Sequence, residues 1–208
     1  MLAAGIPLLA TTLFGSSIDG ITRWVNVGGL SVQPSLIIAP AMLVSFAGSR
    51  GWLSTLGVVF AALALGSQPD RAVAGAMVAG LGVMCLLQRD RFVWIALASA
   101  VVAFAITLVR ADNLSAMPFV EQVYLQAFKS GLLAGIAVVL GAALLLAPAV
   151  AGWRTDPPTY LVFGTLWLAL IVAAVLGNYP TPIVGYGSSS IVGYVLSLMR
   201  LSPRRSQT

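Results

Sequence analysis

The stretch from residue 18 to 35, IDGITRWVNVGGLSVQPS, lies between two apolar runs and mixes charged, amide, hydroxyl, tryptophan and glycine residues. Arg23 beside Trp24 suits a membrane–water boundary, where an indole ring sits at headgroup depth and a guanidinium can reach phosphate. Gly28-Gly29 permits a tight reversal, and Pro34 fits the first turn of a following helix. Taken alone, the stretch predicts an interfacial loop between two membrane helices.

The composition is that of an integral membrane protein. Hydrophobic residues make up 59% of the chain and charged residues 8%, whereas a soluble domain carries roughly a quarter charged residues. The chain has no histidine, which removes the commonest general base and metal ligand. The single Cys85 excludes an intramolecular disulfide. We therefore expect no cofactor; a divalent cation is not excluded, but no cluster of ligand residues supports one.

Eight apolar segments predict an all-α, polytopic transmembrane helical bundle of about eight helices. Helix is the economical choice because lipid cannot satisfy exposed backbone groups and no barrel-like alternation appears. The segments are 1–16, 34–48, 52–67, 71–88, 92–109, 119–150, 159–177 and 187–200. We expect one integral membrane domain over 1–208, in which 199–208 forms a short basic tail.

The basic residues predict that both termini are cytoplasmic, because cytoplasmic loops carry an excess of Lys and Arg. With Met1 inside, most basic residues fall inside, namely Arg50, Arg89, Arg91, Arg154, Arg200, Arg204 and Arg205. The others fall outside or within the membrane, namely Arg23, Arg71, Arg110 and Lys129. The net charge of +5 is modest and scattered, so we expect no nucleic-acid partner. The polar stretches 18–35, 67–70, 110–120 and 178–182 would then share the outer face.

Three stretches resemble, in the same order, motifs of the SEDS family (shape, elongation, division and sporulation) of membrane proteins. They are the pattern G-x-x-R-W-x-x-x-G-x-x-S-x-Q-P-S, then Gln68-Pro69-Asp70 where the family reads QPDLGT, then PTPIVGYGSSS (180–190) where it reads PLPFISYGGSS. The residues also have plainer interpretations. Proline and an acid are ordinary at a helix start, and the hydroxyls of 186–190 could simply cap a helix.

A fourth stretch, FVEQVYLQAFKSGLLAG (119–135), resembles the family segment HTDFIFAVIGEELGLIG. Glu121 falls on the aspartate that the family needs for glycosyl transfer, so the resemblance implies that Glu121 is a candidate general base. Gln122, Gln126 and Lys129 would form a polar stripe on one helical face. Ionisable residues within a membrane are functional candidates. Alternatively, Glu121 lies at the interface and Lys129 reaches the headgroups or pairs with a nearby group.

The resemblance also implies a substrate, partners and a location. The substrate would be an undecaprenyl-diphosphate-linked lipid, and the location the bacterial cytoplasmic (inner) membrane. A class B penicillin-binding protein, or another membrane protein of the division or elongation machinery, would be a partner. The substrate-binding residues would be Arg23, Trp24, Gln33, Ser35, Gln68, Asp70, Lys129, Tyr186, Ser189 and Ser190.

The departures from the family pattern bear on activity. The family has ten helices, of which this chain resembles the C-terminal eight. The long outer loop before the catalytic position shrinks to RADNLSAMP (110–118), and the acid after Gln33-Pro34-Ser35 becomes Leu36. We therefore expect a protein of peptidoglycan synthesis in which the family activity, polymerisation of glycan strands from lipid II, is weak or lost. The alternative is a non-catalytic polyprenyl-lipid-binding or division-complex scaffold protein.

Overall fold

A computed structural model of the chain describes residues 2–18, 21–110, 120–177, 179–184 and 188–201. The predicted all-α bundle is confirmed. The helices are α1 (Leu2–Phe14), α2 (Pro34–Gly48), α3 (Trp52–Ser67), α4 (Arg71–Leu87), α5 (Arg91–Val109), α6 (Val123–Ser130), α7 (Leu132–Leu144), α8 (Ala147–Gly152), α9 (Pro157–Leu176) and α10 (Ser188–Leu198). The strands are β1 (Ser16–Ile18), β2 (Ile21–Val27) and β3 (Leu30–Val32).

Seven of the eight predicted segments each form one helix, but the prediction of a single helix over 119–150 is wrong. The chain breaks at Gly131, whose φ of +159° is rare for residues with a side chain. It breaks again at Leu145 and Leu146, after which Pro148 lies in the first turn of α8. This segment is therefore three short helices, α6 to α8.

The strands β1, β2 and β3 form an antiparallel meander, a feature that the sequence prediction lacked. The expected reversal at Gly28 and Gly29 is confirmed, since their φ angles are +59° and +86°. The Gly29 N–H donates a 3.0 Å hydrogen bond to Asn26 Oδ1 across this turn. Strand pairing satisfies the backbone groups of a segment that leaves one helix and enters the next.

The core lies among α2, α3, α4, α5 and α9, with α1 packed on α3 and α10 packed on α2. Trp167 of α9 is fully buried and donates a 3.1 Å hydrogen bond to Ser197 Oγ of α10. Gly193 of α10 lies so close to α2 that a Cβ there would come within 1.9 Å of the Leu36 carbonyl oxygen. Small residues thus allow close helix packing, as is usual in membranes.

Three of the described helical segments are long and apolar enough to cross a membrane: Arg91–Val109, Leu132–Gly152 and Pro157–Leu176. Five shorter apolar helices accompany them. The segment Leu132–Gly152, which joins α7 and α8, is the least buried of the three and exposes a row of leucine and valine side chains. These features are those of a membrane-embedded bundle.

Hydrogen bonds between turns that are distant in the chain bring the connections of the helices together at two ends of the bundle. We call the end that carries the strands the meander end; there α3, α5 and α9 finish and α2, α4 and α10 begin. At the opposite end, Arg50 Nε lies 3.2 Å from Asp90 Oδ2. Asp90 also caps α5 by accepting a 2.9 Å hydrogen bond from the Phe92 N–H. These contacts fix the turns opposite the predicted site.

Candidate functional site

The meander end holds a group of buried polar side chains that come from four separate segments of the chain. We call them the polar cluster: Arg23, Gln33, Ser35, Gln68, Asp70 and Ser189. All six are among the residues that the sequence predicts for the site. The fold therefore brings most of the predicted residues together.

Asp70 is the centre of the polar cluster. Its Oδ1 caps α4 by accepting a 3.3 Å hydrogen bond from the Val73 N–H. Its Oδ2 accepts hydrogen bonds from Ser35 Oγ at 2.7 Å and Gln33 Nε2 at 3.0 Å. A carboxylate this deeply buried requires such donors. The prediction that Asp70 marks a helix start is confirmed.

Arg23 and Gln68 attach the meander and α1 to the end of α3. Arg23 donates from Nε to the Gln68 carbonyl at 3.2 Å and from Nη2 to the Pro69 carbonyl at 2.6 Å. Trp24 lies beside it, with the ring centroid 6.0 Å from Arg23 Cζ. Gln68 Nε2 in turn donates a 2.9 Å hydrogen bond to the Leu8 carbonyl of α1.

The serines at the start of α10 bond to backbone N–H groups. The Gln33 N–H donates a 2.9 Å hydrogen bond to Ser189 Oγ, and the Ile183 N–H donates a 3.3 Å hydrogen bond to Ser190 Oγ. These bonds connect α10 with the residue before α2 and with the segment 179–184. Tyr186, the remaining predicted residue of this stretch, lies outside the described residues.

Glu121 precedes α6 and pairs in an isolated antiparallel bridge with Pro180. The Thr181 N–H donates a 2.8 Å hydrogen bond to the Val120 carbonyl beside this bridge, and Glu121 is only 7% exposed. The predicted polar stripe is wrong at its start, because Gln122 has a left-handed φ of +57° and the helix begins at Val123. Strand-like pairing with residue 180 holds this part of the chain out of the helix.

Lys129 is not brought to the polar cluster. It lies exposed in the last turn of α6. At 1.5 Å per residue, six residues of helix separate it by about 9 Å from the start of α6 near Glu121. This position suits a side chain that reaches toward solvent or headgroups.

A groove of about 480 Å³ opens between α4, α5 and α9. Its walls are mostly apolar, with Gly75, Phe104, Ala169 and Ala173 among the lining residues. Arg71 and Tyr179 line its meander end. Tyr179 directly precedes Pro180, the bridge partner of Glu121. The groove therefore ends one residue before the backbone-bridge partner of the candidate base, although Glu121 is not among the residues that line it.

Arg71 is the functional candidate that the sequence prediction missed. Its Nε donates a 2.8 Å hydrogen bond to the Thr107 carbonyl, and its Nη2 bonds to the Arg110 carbonyl. A guanidinium has five N–H donors, so further donors remain for an anion. The available signal was a cation directly after Gln68-Pro69-Asp70, where the resembled family has an apolar residue.

Thr181 is a second residue that sequence reasoning did not single out. Its side chain is fully buried beside the Glu121 bridge, and its hydroxyl has no hydrogen-bond partner within the described parts of the chain. Across those same ranges, no three His, Cys, Asp or Glu side chains come together as a metal site would require. Among the residues that the structure describes, the polar groups at this end are therefore hydroxyls, amides, the carboxylates of Asp70 and Glu121, and arginines.

No protein-family model matches the chain, and no curated protein matches it at a significant level. A similar solved structure is the crystal structure of a mutant of the Rod shape determining protein RodA from Thermus thermophilus. The TM-score is 0.57 at 23% sequence identity, over 94% of this chain and 73% of that chain. The similarity shows that the two chains share a fold.

Proposed function

We propose that the chain is a SEDS-like protein of the bacterial inner membrane that binds an undecaprenyl-diphosphate-linked lipid in peptidoglycan synthesis, in cell division or cell-shape control. One observation carries this proposal: an apolar groove has a cationic mouth at Arg71, where the lining residue Tyr179 adjoins Pro180, the backbone-bridge partner of Glu121. The shared fold with a rod shape determining protein supports the same context.

The groove suits the part of a polyprenyl lipid nearest its headgroup. A volume of about 480 Å³ lies within the range of ligand pockets, and apolar walls suit isoprenoid units. The remaining N–H groups of Arg71 would bond to the diphosphate, since guanidinium pairs with phosphate oxygens in a fork geometry. The rest of the isoprenoid chain would lie in the bilayer.

In this proposal the polar cluster positions the site rather than contacting the lipid. Asp70 directly precedes Arg71, and its bonds to Ser35, Gln33 and the Val73 N–H fix the start of α4. Direct contact of Arg23, Gln33 or Ser35 with substrate stays a prediction. Their polar groups are buried and already bonded to protein atoms.

Glu121 is the proposed base if the protein polymerises glycan. It would remove the proton from the acceptor sugar hydroxyl, a step that typically contributes 10²–10⁴-fold to the rate. Its low exposure and the pairing of its backbone with residue 180 favour weak or absent turnover. Lipid binding without polymerisation is therefore the form of the function that we favour.

The alternative is a scaffold protein of the division or elongation machinery. The apolar face of α7 favours it, since Leu133 is 83% exposed and suits either lipid or a partner's transmembrane helix. A class B penicillin-binding protein as that partner follows from the family resemblance alone.

Binding of fluorescent lipid II to the purified full-length chain tests the proposal, with polymer formation measured in parallel. We expect Arg71→Gln to weaken binding about ten- to hundredfold, because it removes a charge-assisted contact. Arg89→Gln, an exposed arginine at the opposite end, is the matched control and should bind like the native protein. Equal binding by both variants would contradict the proposed headgroup site, and polymer made by the native chain would identify an active enzyme.

A further inference from the structure

A second cavity, of about 380 Å³, lies between α6, α7 and α9. Apolar side chains make up almost all of its lining, including Leu125, Phe128, Ala142, Leu168 and Ala174. The exception is Tyr124. Its side chain is only 6% exposed, and its hydroxyl has no hydrogen-bond partner in the described ranges of the chain.

An unpaired hydroxyl in such a place indicates a missing partner. Buried polar groups in proteins are almost always hydrogen-bonded, to protein or to ordered water. Water is a poor partner here, because a buried water needs two to four polar neighbours and the described lining offers one. The natural occupant is therefore a largely apolar molecule that carries a hydrogen-bond acceptor.

We propose that this cavity binds one acyl chain of a bilayer glycerophospholipid, whose ester carbonyl accepts a hydrogen bond from the Tyr124 hydroxyl. Leu125 and Phe128 at its rim are about half exposed, so the cavity can be entered from the bilayer. Tyr124 lies in the first turn of α6, close to the meander end. An ester carbonyl lies just below the headgroup, so it would reach a hydroxyl at this depth.

The lining chemistry distinguishes this site from the groove. No Lys or Arg is among the residues that line the cavity, so a diphosphate headgroup would find no counter-charge there. The two spaces also lie on different faces of α9. Ala169 and Ala173 face the groove, whereas Leu168 and Ala174 face the cavity.

Native mass spectrometry of the delipidated full-length chain tests the inference, with two added probes. One is dioleoyl phosphatidylglycerol, and the other is its diether analogue, which lacks the ester carbonyls. We expect the native chain to retain one diester lipid and to bind the diether lipid about three- to tenfold more weakly, as for loss of one neutral hydrogen bond. Tyr124→Phe should weaken diester binding by the same factor and remove the difference between the two lipids.

Two further variants distinguish lipid that binds in the cavity from lipid that binds elsewhere on the protein surface. Ala142→Phe places a ring in the cavity and should abolish the tightly retained lipid. Leu133→Phe, on the exposed face of α7, is the matched control and should retain it. Equal binding of the diester and diether lipids by the native chain would overturn the proposal, as would unchanged retention in Ala142→Phe. The first comparison needs no substitution, so a folding defect cannot explain it, and no polyprenyl lipid enters the assay.

Discussion

The Ser35 hydroxyl donates a 2.7 Å hydrogen bond to the Asp70 carboxylate and so links the first turn of α2 to the start of α4. Both side chains are only 1% exposed. Ser35 and Asp70, which the sequence predicts to bind substrate, are thus hydrogen-bonded to each other. Their contribution to stability can therefore be measured separately from any contribution to binding.

We expect Ser35→Ala to lower the free energy of unfolding by about 1–3 kcal/mol, because it leaves a buried carboxylate without one of its donors. Thermal unfolding in detergent micelles measures this change. Ser67→Ala is the control, since Ser67 is exposed and its hydroxyl donates to the Leu63 carbonyl of its own helix. Equal unfolding temperatures for the two variants would show that the Ser35–Asp70 bond contributes nothing to stability.

Arg23→Ala should destabilise the protein by about 2–3 kcal/mol, because the guanidinium bonds to two buried carbonyls after α3. Arg23→Lys should recover only part of this loss, since an ammonium lacks the planar fork that reaches both oxygens. The measurement is again unfolding in detergent, with the exposed Arg89→Ala as control. If Arg23→Ala weakens lipid II binding and leaves the unfolding temperature unchanged, Arg23 is a direct ligand.

Ala173→Phe should reduce lipid II binding at least tenfold, because the ring would occupy the groove between α4, α5 and α9. Val150→Phe, at an exposed position of α8, adds the same ring outside the groove and should bind normally. A direct binding measurement on both variants distinguishes the groove from the general lipid-facing surface. Normal binding by Ala173→Phe would place the isoprenoid chain elsewhere.

Most helices were predictable because short polar turns separate the apolar runs. The turns at 48–51, 67–70 and 88–91 mark the ends of α2, α3 and α4 correctly. The meander was not predictable from an alternation of apolar and polar residues along the sequence. Its longest strand places Arg23 in a buried position, so the usual pattern of apolar residues facing inward fails there.

The candidate site was predictable only in part, and the reason is physical. Gln33, Ser35, Gln68 and Asp70 could be identified because they occur in short motifs that resemble a known family. Arg71 was missed although it directly follows Gln68-Pro69-Asp70, because the groups that orient it are the carbonyls of residues 107 and 110, more than 30 residues later in the chain. Long-range contacts of this kind leave no local pattern in a sequence.

The predicted membrane orientation is testable by cysteine labelling in a Cys85→Ala background. Leu30→Cys places a thiol at an exposed position of the meander, and Arg89→Cys places one at the opposite end. With cytoplasmic termini, a membrane-impermeant maleimide added to intact spheroplasts should label position 30 and not position 89. The reverse pattern would invert the bundle and put the groove mouth on the cytoplasmic side.

Substitution of Glu121 distinguishes a weak enzyme from a protein that only binds lipid II. Glu121→Gln preserves the size of the side chain and removes its capacity to act as a base, so lipid II affinity should stay within about twofold. We expect no glycan polymer from either protein under conditions in which lipid II binds. Thermal unfolding of both proteins checks that the substitution leaves the bundle intact.

Glu121→Asp adds a sharper test, since aspartate stands at the matching position of the resembled family. Glutamate places its carboxylate about 1 Å further out, and misplacement on that scale can cost about 100-fold in rate. If the added methylene is what limits turnover, Glu121→Asp should show polymerisation above the native level. We expect no gain, because pairing with Pro180 and burial restrict residue 121 as a whole. Polymer made by the native chain and lost in Glu121→Gln would instead show that this protein is a compact polymerase.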